Sequence, residues 1–535
     1  MSYEKIWSKD QRLNDVEHIK LQKDGLDVIQ TIIDNYSKEG YSSITSEDMN
    51  RFKWAGVYEQ KPKEGYFMMR VRINSGIMSS KQAKVLAGIA KDYGRGVANV
   101  TTRGAVQFHW VQIEDLPKTF EKLNACCLSS FEACGDCPRT IVGNPLAGID
   151  KDELMDTTDL IEQVNNFFLL NKDFSNLPRK FKISISASTH NAAHAQINDL
   201  AFTPAVKNIE GKEVIGFNAW VGGGLSANAH LAQKLDIFIK PEDVLKVAEG
   251  VCTIFRDYGY REKRTRARLK FLVADWGAEK FQDKLLELIG DMPNSGEDKL
   301  SFWNASYYFG VHSQKQNGKS YIGINLPLGE ISSDELFELS DISEKYGDSK
   351  IRTTLSQNLI ITGISNENIP SLLEKDIFKQ LSPNPNVFTG YTVSCTGKEF
   401  CNLAIVETKE RAREVIKYLD SKIKLDTPIR MHFTGCPNSC GQKHIADISL
   451  QGALMKTENS CDEAFTIWLG GTLNNSGKFA ENLNYRVKST DVHIVLEKII
   501  NFFKENKLEN ETFNEFISRV GFNEIKDSVL NIWIN

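Results

Sequence analysis

The sequence has no apolar run long enough to span a membrane, and its opening stretch, MSYEKIWSKDQRLNDVEH, lacks the uninterrupted apolar segment of a secretory leader. These absences predict a cytoplasmic protein with no membrane partner. Charge of one sign is not in surplus either: 65 Lys and Arg against 70 Asp and Glu leave a net charge of −5, so nucleic acid is not an expected partner. A G-x-G-x-x-G fingerprint following a strand is missing, as is any obvious flavin domain, which excludes a reductase that draws on a dinucleotide by itself. Cysteine, by contrast, is plentiful. Ten cysteines at a reducing address argue for metal or redox use before disulfides. A chain of 535 residues with 41% hydrophobic content can bury cores for three or four domains.

Four of the cysteines define the stretch around which the chain is organised. SCTGKEFCNLAIVETK (394–409) and MHFTGCPNSCGQKHIADISLQG (431–452) give Cys395-x5-Cys401-x34-Cys436-x3-Cys440, flanked by Gly397, Gly435, Pro437, Asn438 and Gly441. Apolar runs before each pair predict strands that end where the cysteines begin, so the thiols fall on tight turns. Such turns aim backbone N–H groups at one bound object. Four thiolates suit a four-iron cluster. Zinc is the rival, although the gap of five between Cys395 and Cys401 fits its usual close pairs poorly. Four buried, unligated thiols are the bland alternative, and gathering them in Gly/Pro turns is not what packing asks for.

The chain also repeats. GYFMMRVRINSG predicts a strand, a helix opens at Ser79 or Ser80 on Ala83, Leu86 and Ile89, and NVTTRGAVQFHWV predicts a second strand carrying Arg103. The pattern recurs 253 residues later, with a helix opening at Ser332 or Ser333 on Leu336, Leu339 and Ile342. The following halves repeat too: FNAWVGGGL over FTIWLGGTL sets Trp220 over Trp468, and Asp199 over Asp447. Two related halves predict a pseudo-twofold pair whose seam suits a large cofactor. Residues 1–50 read as a polar helical arm, with Gly40 a stop signal and packing on the body or a second subunit its expected role.

C-T-G-x-x-F-C followed by T-G-C-P-N-S-C-G-Q resembles the signature of the sirohaem-dependent sulfite and nitrite reductases, and the resemblance runs from about Arg51 to Leu473. It implies an α+β fold in which the two short units (51–118 and 300–366) pair into one ferredoxin-like domain. Two larger α/β domains (119–296 and 385–520) surround it and share the cofactor at their interface. It further implies that Cys395, Cys401, Cys436 and Cys440 hold a [4Fe–4S] cluster, with the Cys440 sulfur also bound to the sirohaem iron.

Sirohaem carries many carboxylates, and both family substrates are anions, so a site for them needs fixed cations. Arg103, Arg139 in the loop CGDCPRTIVGNPLAGID, and Lys180 and Lys182 in LPRKFKISISAS match the family positions that bind the anion and relay protons. The last segment alternates, predicting Lys180, Lys182, Ser184 and Ser186 on one face of a strand and Phe181, Ile183 and Ile185 on the other. On the residues alone, a half-buried strand with a wet face reads as well. Arg70 and Arg72 alternate on the first strand, and Arg264, Arg266, Arg268 and Lys270 alternate in RTRARLKF, here read as a strand. Cofactor rim, solvated face and docking patch for an acidic donor are the readings of these sets. Gln107, His109 and Asn438 complete the expected cofactor contacts. Cys134 and Cys137 read as loop cysteines beside Arg139, and His190 and His194 as loop or core histidines rather than metal ligands.

TGCPNSCGQ and VGNPLAGID resemble the ferredoxin-dependent nitrite reductases, whereas Lys182 resembles the sulfite enzymes, the nitrite enzymes typically having asparagine there. The expectation is six-electron reduction of sulfite to sulfide, with reduction of nitrite to ammonia the close alternative. Electrons would come from a separate ferredoxin or flavoprotein. A non-catalytic iron–sulfur binding protein is the reading from another class, and it leaves the paired cations without a purpose.

Overall fold

The computed structural model describes residues 12–305, 307–456 and 460–530. Among the described residues, four five-stranded sheets carry the chain, and they come in two related pairs. In the first pair, Val57–Glu59, Tyr66–Val71, Val106–Gln112 and Val97–Val100 are followed in one sheet by Glu330–Ser332, contributed from the other half of the chain. The second sheet returns the exchange: Gly310–Ser313, Lys319–Ile324, Leu359–Ser365 and Lys350–Thr353 are joined by Ile77–Ser79.

Helices Ser80–Tyr93 and Ser333–Tyr346 follow the exchanged strands, and each begins in the same way. Ser79 and Ser332 accept the backbone N–H of Gln82 and Glu335, whose side chains reach back to the serine backbone, so both starts are capping boxes. Leu86, Ile89, Leu336 and Leu339 lie in one hydrophobic core with Phe67, Phe108, Ile322 and Ile361. The two short units are therefore one domain, as the resemblance implies.

Each larger lobe has its own sheet and core. In the first, Leu200–Ile209, Lys212–Val221 and Gln233–Ile239 run antiparallel, with the short strand Ile183–Ile185 parallel to the first of them. In the second, Thr392–Ser394, Met431–Thr434, Ile448–Lys456, Cys461–Leu469 and Glu481–Lys488 follow in order. A smaller apolar cluster, with Ile197, Leu225, Tyr307, Ile445 and Leu473, lies between the lobes and closes the seam.

The arm packs through an apolar stripe, Val28, Ile32 and Tyr36 lying in the same core as Phe67 and Phe108, and through charge. Lys20, on helix Asp15–Gln22, bonds Glu17 at 2.6 Å and Asp136 at 2.9 Å, while Arg261 pairs with Glu17 at 2.7 Å, all of them fully or almost fully buried. The helical stretch ends at Gly40, whose φ of +85° is a left-handed stop. No helix among the described residues is long and apolar enough to cross a membrane.

Candidate active site

The cysteine turns form where two neighbouring strands stop. Thr392–Ser394 and Met431–Thr434 are parallel and adjacent, Val393 and Phe433 turn into the protein interior, and Cys395 and Cys436 come one and two residues beyond the strand ends. Gly435 donates its N–H to Cys395 Sγ at 3.2 Å, and Thr408 Oγ1 lies 3.8 Å from the same sulfur. Glycine is required at two of the turns. A Cβ on Gly441 would meet Phe433 O at 2.2 Å, and one on Gly397, at φ +78°, would meet Thr408 Oγ1 at 2.6 Å.

Burial pushes the Cys395 thiol up to about 11, with Cys440 adding to the shift. Cys401 and Cys436 are also raised, first by burial, and each feels Cys440. The four thiols thus share one electrostatic neighbourhood. No three His, Cys, Asp or Glu among the described residues are gathered tightly enough for a single metal ion. Four thiolates on such turns suit an iron–sulfur cluster.

The ferredoxin-like domain grips the cradle from the other side. Gln107 Nε2 reaches Thr396 Oγ1 at 3.3 Å, and the His109 ring stacks on Phe400 with centroids 4.0 Å apart. Phe400 O accepts the Lys61 N–H at 2.9 Å, Asn402 Nδ2 donates to Glu59 O at 2.8 Å, and Thr102 Oγ1 donates to Cys440 O at 3.1 Å. Gln107 and His109 thus hold the first cysteine loop. Burial drives His109 down to about 3, so it sits there neutral, bonded to Gln60 and Gln107.

Across the seam lies the cationic group. Phe181, Ile183 and Ile185 enter the lobe core, as the alternation predicts, but the opposite face is not wet: Ser184 and Ser186 are buried and the regular strand is only Ile183–Ile185. Lys180 and Lys182 precede it. Neither ammonium makes a hydrogen bond to a described residue, and both keep part of their surface open. Burial lowers Lys180 to about 7, with Arg179 and Arg268 adding to the shift, while the Cys440 sulfur across the seam works the other way. Lys182 is driven well below its usual value by burial, then by Arg103 and Lys180. Cluster cradle and cations thus face one another.

Arg103 lies not in a strand but in the turn between Val97–Val100 and Val106–Gln112, where Thr101 Oγ1 accepts the N–H groups of Arg103 and Ala105 and Gly104 takes φ +67°. Its guanidinium is held by Asn198 Oδ1 at 2.8 Å and Thr140 O at 2.9 Å. Arg70 donates to Gln107 Oε1 at 2.9 Å and approaches Cys134 Sγ at 3.5 Å. In both arginines Nε is buried with no hydrogen-bond partner among the described residues. Arg139 is braced by its own loop, through Gly135 O at 2.8 Å and Ala133 O at 3.2 Å.

Other expected cofactor contacts are placed differently. Arg264, Arg266, Arg268 and Lys270 share no strand: the first two lie in the 3₁₀ turn Arg264–Arg266, and Arg268 caps helix Leu269–Trp276, whose Leu269, Leu272 and Val273 are buried at helical spacing. Arg264 makes a two-pronged pair with Asp136 at 2.7 and 2.9 Å, Arg266 pairs with exposed Asp275 at 2.8 Å, and Lys270 donates to Leu225 O at 2.8 Å. Asn438 is exposed in the Cys436–Cys440 turn. Arg72, just past its strand, is buried and donates to Glu132 O at 3.0 Å, Pro138 O at 3.3 Å, Arg139 O at 3.4 Å and Asn165 Oδ1 at 2.8 Å. It braces the Arg139 loop. Arg72→Met should strand these acceptors at a cost of about 3 kcal/mol or more, read as a lower urea midpoint with an unchanged slope.

Sequence reasoning passed over Asp136 and Tyr58. Asp136 lies between Cys134 and Cys137, fully buried, and gathers Lys20, Arg179 and Arg264, so it anchors the Arg139 loop and the residue next to Lys180. An acid inside a cysteine pair of a glycine loop was the available signal. Burial raises the Tyr58 phenol to about 12, Cys134 adding to it and Arg139 and Arg70 opposing. Cys134 and Cys137 are both buried.

Four thiols in a turn cradle, facing a cationic group across a lobe seam, define an iron–sulfur oxidoreductase. Models of the nitrite and sulphite reductase 4Fe-4S domain match residues 134–291 and 389–533, and those of the nitrite/sulfite reductase ferredoxin-like half domain match residues 58–126 and 312–375. Ferredoxin–nitrite reductase of Synechococcus elongatus is 36% identical over 92% of this chain and 96% of that protein. Sulfite reductase [ferredoxin] 1 of Mycolicibacterium paratuberculosis is 34% identical over 96% of each. The solved structure of the Mycobacterium tuberculosis NirA protein superposes with a TM-score of 0.90 at 32% identity, covering 97% of this chain and 98% of that one. The chain belongs to the sirohaem- and [4Fe–4S]-dependent nitrite and sulfite reductase family. Its residues fit both groups: sulfur-directed N–H donors and glycine clearance for the cluster, and unpaired cationic donors for a polycarboxylate tetrapyrrole.

Proposed function

We propose that the protein reduces sulfite to sulfide in a six-electron reaction, with electrons delivered by a separate donor such as ferredoxin. When bound, the sirohaem supplies the iron that holds the reacting atom and the cluster supplies electrons one at a time. The observation that carries the reading is the pair of open ammonium groups on Lys180 and Lys182, beside Arg103 and across the seam from Cys440. Two cations with no hydrogen-bond partner among the described residues match a dianion with three oxygens better than a smaller monoanion.

The chain's part in this chemistry is to bind the anion, keep its oxygens turned towards cations and hand over protons. Lys182, held charged by a bound anion, neutralises it and fixes its oxygens. Lys180, lowered to about 7 by burial, can give up its proton near neutrality to an oxygen departing as water. Arg70 and Arg103 offer their remaining Nε–H groups to bound carboxylates or substrate. Arg139, Cys134 and Tyr58 form the wall beside them.

Nitrite reduction to ammonia is the second reading, supported by the 36% identity with a ferredoxin–nitrite reductase. Lys182→Asn should move the ratio of specificity constants towards nitrite by about tenfold, the size of one charged contact. Steady-state assays with both anions and reduced viologen decide it; a wild-type protein that makes ammonia from nitrite at a far higher kcat/KM than sulfide from sulfite would refute the sulfite reading.

A further inference from the structure

The duplication supplies an internal control for Lys182. At a spacing of 248 residues, Lys182 corresponds to Arg430 and Asp199 to Asp447, and the two segments share their local geometry. Lys182 N donates to Asp199 Oδ2 at 2.9 Å, and Arg430 N donates to Asp447 Oδ2 at 2.8 Å. His194 and Gln442, again 248 apart, both take positive φ, at 51° and 59°. The carboxylates are thus placed alike.

Their side-chain partners differ. In the second lobe Arg430 turns its own guanidinium back onto Asp447, with Nε to Oδ2 at 2.9 Å, and spends its other donors on Ile445 O at 3.3 Å and Gly471 O at 3.1 Å. The cation at that sheet position is consumed. In the first lobe Asp199 is instead taken by Arg268, from the cap of helix Leu269–Trp276, with NH2 to Oδ2 at 2.6 Å and Nε to Oδ1 at 3.1 Å. The matching helix of the second lobe, Phe513–Val520, is capped by Thr512 and reaches Asp447 through the uncharged Asn514 amide, which donates to Oδ1. Where the cap supplies an arginine, the sheet cation stays free; where it supplies a threonine, it does not.

We infer that Arg268 is a positioning residue that occupies Asp199 so that the Lys182 ammonium is left to the cavity anion. An exposed ion pair is weak, but this one is sealed, Asp199 being fully buried and Arg268 8% exposed. A buried carboxylate deprived of its arginine needs another cation, and the residue whose N–H it already holds is Lys182.

The inference rests on reading the cavity as the anion site, and sulfite binding to the resting, fully loaded protein tests it, through the change in visible absorption. In Arg268→Gln the dissociation constant should rise about tenfold, with KM rising more than kcat falls. Adding Asp199→Asn, which keeps an oxygen for the Lys182 N–H but drops the charge, should bring it back to within about threefold of wild type. Asp199→Asn alone should bind sulfite as tightly as wild type or tighter, and Arg268→Lys should stay within about threefold. A purely structural role for the pair predicts the reverse, with Asp199→Asn weak and the double variant weaker still. Unchanged affinity in Arg268→Gln, failure of Asp199→Asn to restore it, or weak binding by Asp199→Asn alone would each overturn the inference. The last of these needs no change at Arg268 and covers the case in which Arg268→Gln does not load cofactor. Sulfite binding indifferent to Lys182→Gln would instead remove the anion-site reading itself.

Discussion

Replacing Cys440 with alanine is expected to reduce turnover to below about 10⁻³ of wild type, a barrier increase of about 4 kcal/mol, while barely moving the melting temperature of the cofactor-free chain. Cys440 is exposed in the seam and packs against little, so its loss is a loss of chemistry. Cys436, 8% exposed and next to a strand end, is a different case: Cys436→Ala should lose turnover, cluster iron and stability together. Iron and acid-labile sulfide analysis, the visible spectrum and a thermal melt of each variant separate the two. A Cys440→Ala protein with full turnover would refute the assignment of the cradle.

The second large effect is expected at Lys180. Lys180→Met should cost about 10²- to 10³-fold in kcat/KM, the usual loss on removing one preorganised donor from a dry site. It also has a pH signature. Burial lowers the ammonium to about 7, so it is charged below that pH and neutral above it. Anion affinity and proton supply should therefore both decline as pH rises through 7, and kcat/KM should fall tenfold per pH unit beyond it. Lys180→Arg stays charged throughout, so its profile should lose that limb while retaining the substrate's own titration. A wild-type profile matching that of Lys180→Arg would exclude Lys180 as the titrating group.

Much of this site is legible in the sequence because its chemistry is written in adjacent residues. The cysteine turns declare themselves through glycine and proline at strand ends, and the strands Thr392–Ser394 and Met431–Thr434 stop where expected. The capping boxes at Ser79 and Ser332 are local for the same reason. The misreadings concern partners that are distant in sequence. Alternating Arg264, Arg266 and Arg268 mimic a strand, but Leu269, Leu272 and Val273 bury a helical face beyond them, and packing decides the element. Gln107 and His109 have the right spacing to point together, but that spacing does not reveal the loop they hold, almost 300 residues downstream. Asp136 was hidden because its three cations come from an arm, a loop and a turn.

A cavity of about 680 Å³ lies at the other seam, lined by Trp303, Tyr307, Tyr391, Arg430 and Asp447. Arg430 and Asp447 place it in the second lobe where Lys182 and Asp199 stand in the first. With Arg430 spent on Asp447 and proline at 428 in the place of Lys180, the second lobe offers neither of the two cations that the first lobe leaves open.

The traded strands Ile77–Ser79 and Glu330–Ser332 bear on how such a molecule can be divided. Cut at its midpoint and produced as a lone fragment, either piece would expose a naked sheet border with no neighbour to cover it, an invitation to clumping. Only a complementary fragment, or a sister copy offering the same arm, could seal it. The chain thus resists division at the very point where its symmetry suggests a cut, unless both pieces are made together.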